Sequence, residues 1–140
     1  MEGIGSDVDN HSCPSCGCHD RERHLKLYIE NTNALKNKAS FRILHFAPEN
    51  KLVEWLSVTL NPEIHIFADL HPRDNRYETI DIEKIPYSDE SFDLVIANHI
   101  LEHVSDPRQA LSEINSNEAR RQLRRAFFLF FKKIKSRWTT

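Results

Sequence analysis

The sequence has very little glycine, and this scarcity limits the kinds of nucleotide site that it can form. Only three of its 140 residues are glycine, Gly3, Gly5 and Gly17, and none follows Gly17. A P-loop and a Gly-x-Gly-x-x-Gly loop both need glycines where the backbone turns against phosphate. Both loops are therefore excluded, and a nucleotide site in this chain must use another kind of turn.

Long apolar runs and a secretion signal are also missing. The longest apolar run, residues 126–131, has six residues, whereas a helix that crosses a bilayer needs about 20. Glu2, Asp7 and Asp9 stand where a signal peptide would have basic and apolar residues. We therefore expect a cytoplasmic protein with one domain, for which 39% hydrophobic residues provide a modest core.

Cysteine is scarce, and all three cysteines lie in one short segment. This segment reads Cys13-Pro14-Ser15-Cys16-Gly17-Cys18, and three histidines stand close to it in sequence: His11, His19 and His24. An odd number of cysteines without a secretion signal argues against disulfides. The spacing of Cys13 and Cys16 is typical of paired zinc ligands, but no second cysteine pair completes a structural site. A bound metal and a reduced loop turn both remain open.

The net charge of −2 hides an uneven distribution. Residues 118–137 contain eight basic residues and one acidic residue, so this segment carries +7 and residues 1–117 carry −9. We predict a flexible start over residues 1–18, a main domain over 19–117 and a basic, phenylalanine-rich tail over 118–140. The tail could pack on the sheet or contact an anionic surface. Alternatively, it results from an altered reading frame and has no selected function.

Apolar runs and their breaks predict four strands and a set of helices. Continuous apolar or branched segments predict strands over residues 41–47, 64–70, 77–82 and 92–98. Helical periodicity covers residues 20–35, the segment that begins at Pro48, and a segment after the fourth strand. Nearly continuous apolar strands with a crossover helix indicate an α/β sheet that is covered on both faces. In such sheets ligands bind beyond the carboxyl ends of the strands.

The residues at the predicted strand ends resemble class I S-adenosylmethionine-dependent methyltransferases. The segment Leu44-His45-Phe46-Ala47-Pro48-Glu49 is similar to the form of their first motif that replaces the glycine loop. Asp69 follows Glu49 by 20 residues, the spacing at which this type of fold places a ribose-binding carboxylate. The segments at 80–87 and 98–104 are similar to the family's acid followed by Leu-Pro-Phe and to its Leu-Glu-His-Val signature.

The resemblance implies a Rossmann-like methyltransferase fold with S-adenosylmethionine as cofactor and an unidentified methyl acceptor. Its implied roles place Asp69 at the ribose, Asp81 at the adenine amino group, Ile82 against the adenine ring and the turn at 47–49 beneath the methionine. The complete implied cofactor set is His45, Ala47, Pro48, Glu49, Asp69, Leu70, Asp81, Ile82, Asn98 and His99. No catalytic residue is implied.

Several of these residues also have simpler interpretations. Asp69 could be a solvated strand-end acid or a helix cap. His45 and His65 fit core histidines, and Asp93 fits a turn anchor. The segment 99–103 also spells H-x-x-E-H, the signature of inverted zinc peptidases, but that signature needs a helix where His99 follows a strand.

The resembled family continues with a Lys-Pro-Gly-Gly turn and three further strands that have no counterpart in this sequence. The resemblance therefore implies an incomplete fold of about four strands that retains the cofactor half-site. Its exposed sheet edge would favour self-association. The alternative function is a non-enzymatic, zinc-clipped binding module whose basic tail contacts nucleic acid or anionic lipid.

Overall fold

The computed structural model describes residues 14–15, 20–31, 40–98 and 100–117. In this part of the chain there are three helices and four strands. In chain order they are α1 (Asp20–Asn31), β1 (Arg42–Phe46), α2 (Asn50–Leu60), β2 (Ile64–Asp69), β3 (Tyr77–Thr79), β4 (Leu94–Ile96) and α3 (Pro107–Asn117). None of these helices is long and apolar enough to cross a membrane.

The four strands form one parallel sheet in the order β3-β2-β1-β4. After β1 the chain moves outward through β2 to β3, and it then returns to pair β4 with the other side of β1. The strand order therefore reverses beside β1. A reversal of this kind opens a crevice at the carboxyl ends of the strands, where ligands of α/β sheets bind.

Helices cover both faces of the sheet because side chains alternate along each strand. On one face, Ile43 of β1 packs in a core with α1 and α2, which contribute Ile29, Leu52 and Leu56. The opposite face packs Leu44 and Phe46 in a second core with α3, which contributes Ala110 and Ile114. The predicted α/β class with a Rossmann-like parallel sheet of four strands is confirmed.

All four predicted strands are longer than the observed ones, and the third and fourth differ most. The third was predicted to reach Ile82 but ends at Thr79, because the next residues form a turn. In that turn the main-chain N–H of Lys84 donates to the Asp81 carbonyl at 2.9 Å. The fourth was predicted over residues 92–98 but is limited to Leu94–Ile96.

The amino edge of the sheet is anchored by Asp93, which is 1% exposed. Its carboxylate accepts a hydrogen bond from the main-chain N–H of Arg42 at 2.9 Å, and its Oδ2 lies 3.5 Å from Nε of the same arginine. The main-chain N–H of Asp93 donates to the Arg42 carbonyl at 2.8 Å. Asp93 therefore joins the starts of β1 and β4, as expected for an anchoring residue and not for a ligand contact.

Candidate functional site

The carboxyl edge of the sheet brings together the ends of β1, β2 and β3. The N–H of Ala47, just after β1, donates to the Ala68 carbonyl in β2 at 2.9 Å. The N–H of Ile80, just after β3, donates to the Asp69 carbonyl at the end of β2 at 3.1 Å. These bonds continue the sheet pairing beyond the strands, so the residues that follow each strand emerge side by side.

Two carboxylates, those of Asp69 and Asp81, stand at this edge in similar local settings. Oδ1 of Asp69 accepts a hydrogen bond from the N–H of His71, and Oδ1 of Asp81 accepts one from the N–H of Glu83, both at 2.9 Å. Each is an Asx turn, in which the side chain orders its own loop. Among the described residues, the second oxygen of each carboxylate accepts no hydrogen bond, which leaves an oriented acceptor for a ligand.

The loop after β1 turns at Ala47, which has a φ of 44°. This left-handed conformation usually selects glycine, and it costs other residues about 1–2 kcal/mol. Pro48 follows, and Glu49 is the N-cap of α2 with extended φ and ψ of −93° and 127°. The helix was predicted to begin at Pro48 but begins at Asn50, since both preceding residues complete the turn. The loop brings the amino end of α2, whose first N–H groups have no partner within the helix, to the carboxyl edge.

Asn98 follows β4 and carries an unsatisfied donor. Its Nδ2 atom is buried and has no hydrogen-bond partner in the described part of the chain. Asn98 lies two residues beyond Ile96, which pairs with His45 at the end of the β1–β4 register. Buried polar groups almost always have a partner, and an orphaned amide at a ligand-binding edge is suited to an acceptor group on a ligand.

The side chains of His45 and Ile82 lie in the core and not at the open edge. His45 is 1% exposed, and its Nδ1 lies 3.3 Å from Nε2 of His65 on the neighbouring strand. Ile82 is 4% exposed and belongs to the core under α3. That Ile82 packs against an adenine ring stays a prediction. For His45, the simpler interpretation as a core histidine fits the structure.

Stability should fall as the pH drops, because the His45–His65 pair must remain neutral. Burial lowers the pKa of His45 from 6.5 to about 3, with a further contribution from His65, and burial lowers the pKa of His65 to about 4. Below pH 6.5 the unfolded chain therefore binds protons that the folded chain does not bind. Between pH 6.5 and pH 5 His45 should remove about 2 kcal/mol from the free energy of unfolding, and the partly solvated His65 should remove less.

Urea unfolding at pH 7, 6 and 5 measures this loss, and carboxylates with ordinary pKa values change little in that range. The variant His45→Phe keeps a ring in the core and removes the titrating group, so its stability should vary less with pH than that of the wild type. Equal pH dependence in the two proteins would contradict a role for this pair.

Several predicted residues lie outside the described part of the chain. These are His99 and the metal candidates Cys13, Cys16, Cys18, His11 and His19, whereas His24 lies in α1 but its side chain is not described. Pro14 and Ser15 form an exposed turn. In the described segments there is no group of three or more His, Cys, Asp or Glu side chains that could hold a metal ion.

The zinc-peptidase interpretation of residues 99–103 is not supported by the local structure. Glu102 and His103 lie outside the helices, and the next helix, α3, begins only at Pro107. The signature requires its histidines on one helix, a turn apart, so that both face one metal. The described members of the motif do not meet this requirement.

The chain is similar to known proteins in both its sequence profile and its structure. The sequence profile of the family described as "Methyltransferase domain" matches residues 31–124. No curated protein matches the chain. A chain in the solved complex between the Haloferax volcanii Trm112 methyltransferase activator and a protein assigned as a methyltransferase is similar, with 15% identity and a TM-score of 0.48. The similarity covers 82% of this chain and 57% of that chain.

Proposed function

The chain belongs to the methyltransferase domain family, and from this premise we propose that it binds S-adenosylmethionine at the carboxyl edge of its sheet. The observation that carries the proposal is the pair of Asx-turn carboxylates, Asp69 and Asp81, at the ends of adjacent strands. Both are oriented by their own loops and both keep an acceptor oxygen for a ligand. An adenosine group offers matching donors, two ribose hydroxyls and one amino group.

Asp69 is the proposed ribose acceptor. It ends β2 next to the β1 loop, and a carboxylate at this place in a dinucleotide-type fold binds ribose hydroxyls. Leu70 follows it and is 54% exposed. A large apolar side chain at a ligand-binding edge provides a surface that a sugar or base can cover. Leu70 is therefore the proposed apolar wall of the nucleoside site.

Asp81 is the proposed acceptor for the adenine amino group. A carboxylate accepts hydrogen bonds but donates none, so it selects a base with an N–H donor at this position. Ile82, which follows Asp81 and is 4% exposed, is the proposed apolar contact of the adenine ring. This assignment predicts selectivity for adenine over bases that carry a carbonyl oxygen in place of the amino group.

The loop at Ala47, Pro48 and Glu49, together with Asn98, forms the proposed site for the methionine end. The N–H groups at the start of α2 and the Asn98 Nδ2 are donors that match the methionine carboxylate. Glu49 adds a negative charge that favours the ammonium and sulfonium groups. His99 stays a proposed contact at the end of β4.

The chemistry follows from the donor. When bound, S-adenosylmethionine supplies a methyl group on a sulfonium, and an acceptor nucleophile takes it by in-line displacement, which depends chiefly on alignment. The residues of this site bind and orient the donor. The family match supports methyl transfer in general, and the acceptor is left unassigned.

Titration calorimetry on the full chain tests this proposal. S-adenosylmethionine and S-adenosylhomocysteine should each bind at one site, whereas NAD at the same concentration should give no saturable heat. Circular dichroism on the same sample shows whether the protein is folded. If folded protein gives no binding heat with either adenosyl compound, the proposed function is wrong.

A further inference from the structure

Two polar side chains of helix α3 form hydrogen bonds with main-chain groups of the turn that contains Asp81. Glu113 Oε2 accepts a hydrogen bond from the main-chain N–H of Ile85 at 2.8 Å, in a partly buried contact. Gln109, one helical turn earlier, donates through Nε2 to the Glu83 carbonyl and to Glu113 Oε1, each at 3.3 Å. The two side chains therefore hold main-chain groups of the turn at two points.

A side chain of the turn also forms a hydrogen bond with the start of the helix. Oε1 of Glu83 accepts a hydrogen bond from the N–H of Asp106 at 2.9 Å, directly before the first residue of α3. The Asp106 carboxylate in turn accepts from the N–H groups of Arg108 and Gln109. The start of α3 and the turn are thus joined by reciprocal bonds from both sides.

Apolar contacts fix the same two elements together. Ile82 and Ile85, on either side of Glu83, are 4% and 6% exposed and share a core with Ala110 and Ile114 of α3. A shift of the turn would expose these side chains to water, which is unfavourable. Apolar packing therefore sets the position of the turn against α3, and the hydrogen bonds orient its main chain in that position.

The bonds from α3 act near the groups that orient Asp81. The N–H of Glu83 donates to the Asp81 carboxylate, and the N–H of Lys84 donates to the Asp81 carbonyl. Ile85, which Glu113 holds, is the next residue along the chain. If the main chain at Ile85 moved, the N–H groups of Glu83 and Lys84 would move with it. The orientation of the Asp81 carboxylate would then change.

We propose that Glu113 is a positioning residue for adenine recognition, which it controls through the Ile85 N–H and the Asp81 turn. This inference rests on the proposed function. It assigns base selectivity partly to a helix residue that does not touch the ligand. Its loss should weaken discrimination at the adenine amino group more than it weakens binding of the rest of the cofactor.

The test compares the affinities of S-adenosylhomocysteine and S-inosylhomocysteine. In the inosyl ligand a carbonyl oxygen replaces the 6-amino group, and N1 changes from an acceptor to an N–H donor. The wild type should prefer the adenosyl ligand at least about tenfold, the effect of one hydrogen bond to a charged acceptor. Glu113→Ala should reduce this ratio at least about threefold, the effect of one hydrogen bond of ordinary strength. Glu113→Gln keeps an oxygen that can accept from Ile85, so it should retain most of the preference.

Two further variants control for folding. Glu113→Asp keeps the charge but withdraws the carboxylate by one methylene, so it should lose discrimination as Glu113→Ala does. It therefore replaces the alanine variant in the test if that variant does not fold. Ser112→Ala changes an exposed neighbour on α3 and should leave the ratio unchanged. Amide hydrogen exchange should show faster exchange at Ile85 in the Asp variant than in the Gln variant.

The outcomes separate this inference from the proposed function. If the wild type binds neither ligand, the proposed function fails and the inference fails with it. If the wild type binds and discriminates, but Glu113→Ala or Glu113→Asp keeps the full preference, only the positioning role is wrong. An equal loss of affinity for both ligands would also overturn it, since that result indicates general destabilisation.

Discussion

Replacing Asp69 by alanine is expected to weaken the binding of S-adenosylhomocysteine about 100-fold. The carboxylate is fixed by the His71 N–H at 2.9 Å, so it is oriented before the ligand arrives. Each hydrogen bond to a charged acceptor contributes about 1.5–3 kcal/mol, and two ribose hydroxyls are proposed donors. The loss of about 3 kcal/mol corresponds to a factor of roughly 100 in the dissociation constant. Titration calorimetry of both proteins under identical conditions measures it.

Asp74 provides a matched control for this substitution. It lies in the same loop between β2 and β3, and its carboxylate also accepts from a main-chain N–H two residues ahead, that of Arg76, at 2.9 Å. It does not end a strand, so Asp74→Ala should leave the affinity within about twofold, below the contribution of one typical hydrogen bond. Equal effects of Asp69→Ala and Asp74→Ala would contradict the ribose assignment.

The second large effect is expected at the opposite edge, where Asp93→Ala should lower the free energy of unfolding by about 3 kcal/mol. The substitution leaves the Arg42 N–H without its acceptor and removes the ion pair with that side chain. Because the side chain of Arg42 is 38% exposed, most of the effect should come from the buried main-chain donor. Urea unfolding monitored by circular dichroism measures the change.

Asp93→Asn separates the hydrogen bond from the charge. Asparagine keeps an oxygen that can accept from the Arg42 N–H, so this variant should lose only about 1 kcal/mol. Both variants should bind S-adenosylhomocysteine normally once folded, because Asp93 lies at the amino edge of the sheet. Asp93→Ala with a stability within about 0.5 kcal/mol of the wild type would show that the anchor is not important.

The sequence predicts the central strands well because their signals are local. The segment 64–70 is apolar and ends in an acid before a His-Pro break, and the structure places β2 at Ile64–Asp69. The predicted third strand is too long because the apolar residues 80 and 82 favour a strand, whereas Asp81 between them forms an Asx turn. Its hydrogen bonds compete successfully with sheet pairing over residues 80–82.

The candidate site was predicted in part, and the residues that support it were missed. Asp69 follows from a strand end and from the family resemblance, Asp81 follows from the resemblance alone, and both stand at the carboxyl edge of the sheet. The buried side chain of Ile82 could not be anticipated, because its burial depends on α3, which lies 25 or more residues further along the chain. Glu113 contacts Ile85 across 28 residues, and no local pattern in the sequence marks such a pair.

The most direct test of the account is amide mapping of S-adenosylhomocysteine on isotope-labelled protein by NMR. The amides of Ala47, Asp69, Leu70 and Asp81, all at the carboxyl edge, should shift with one common saturation curve. The amides of Arg42, Glu63 and Asp93, at the amino edge, should stay in place. Shifts confined to the amino edge, or no saturable shifts in a folded sample, would contradict the proposal that this edge binds the methyl donor.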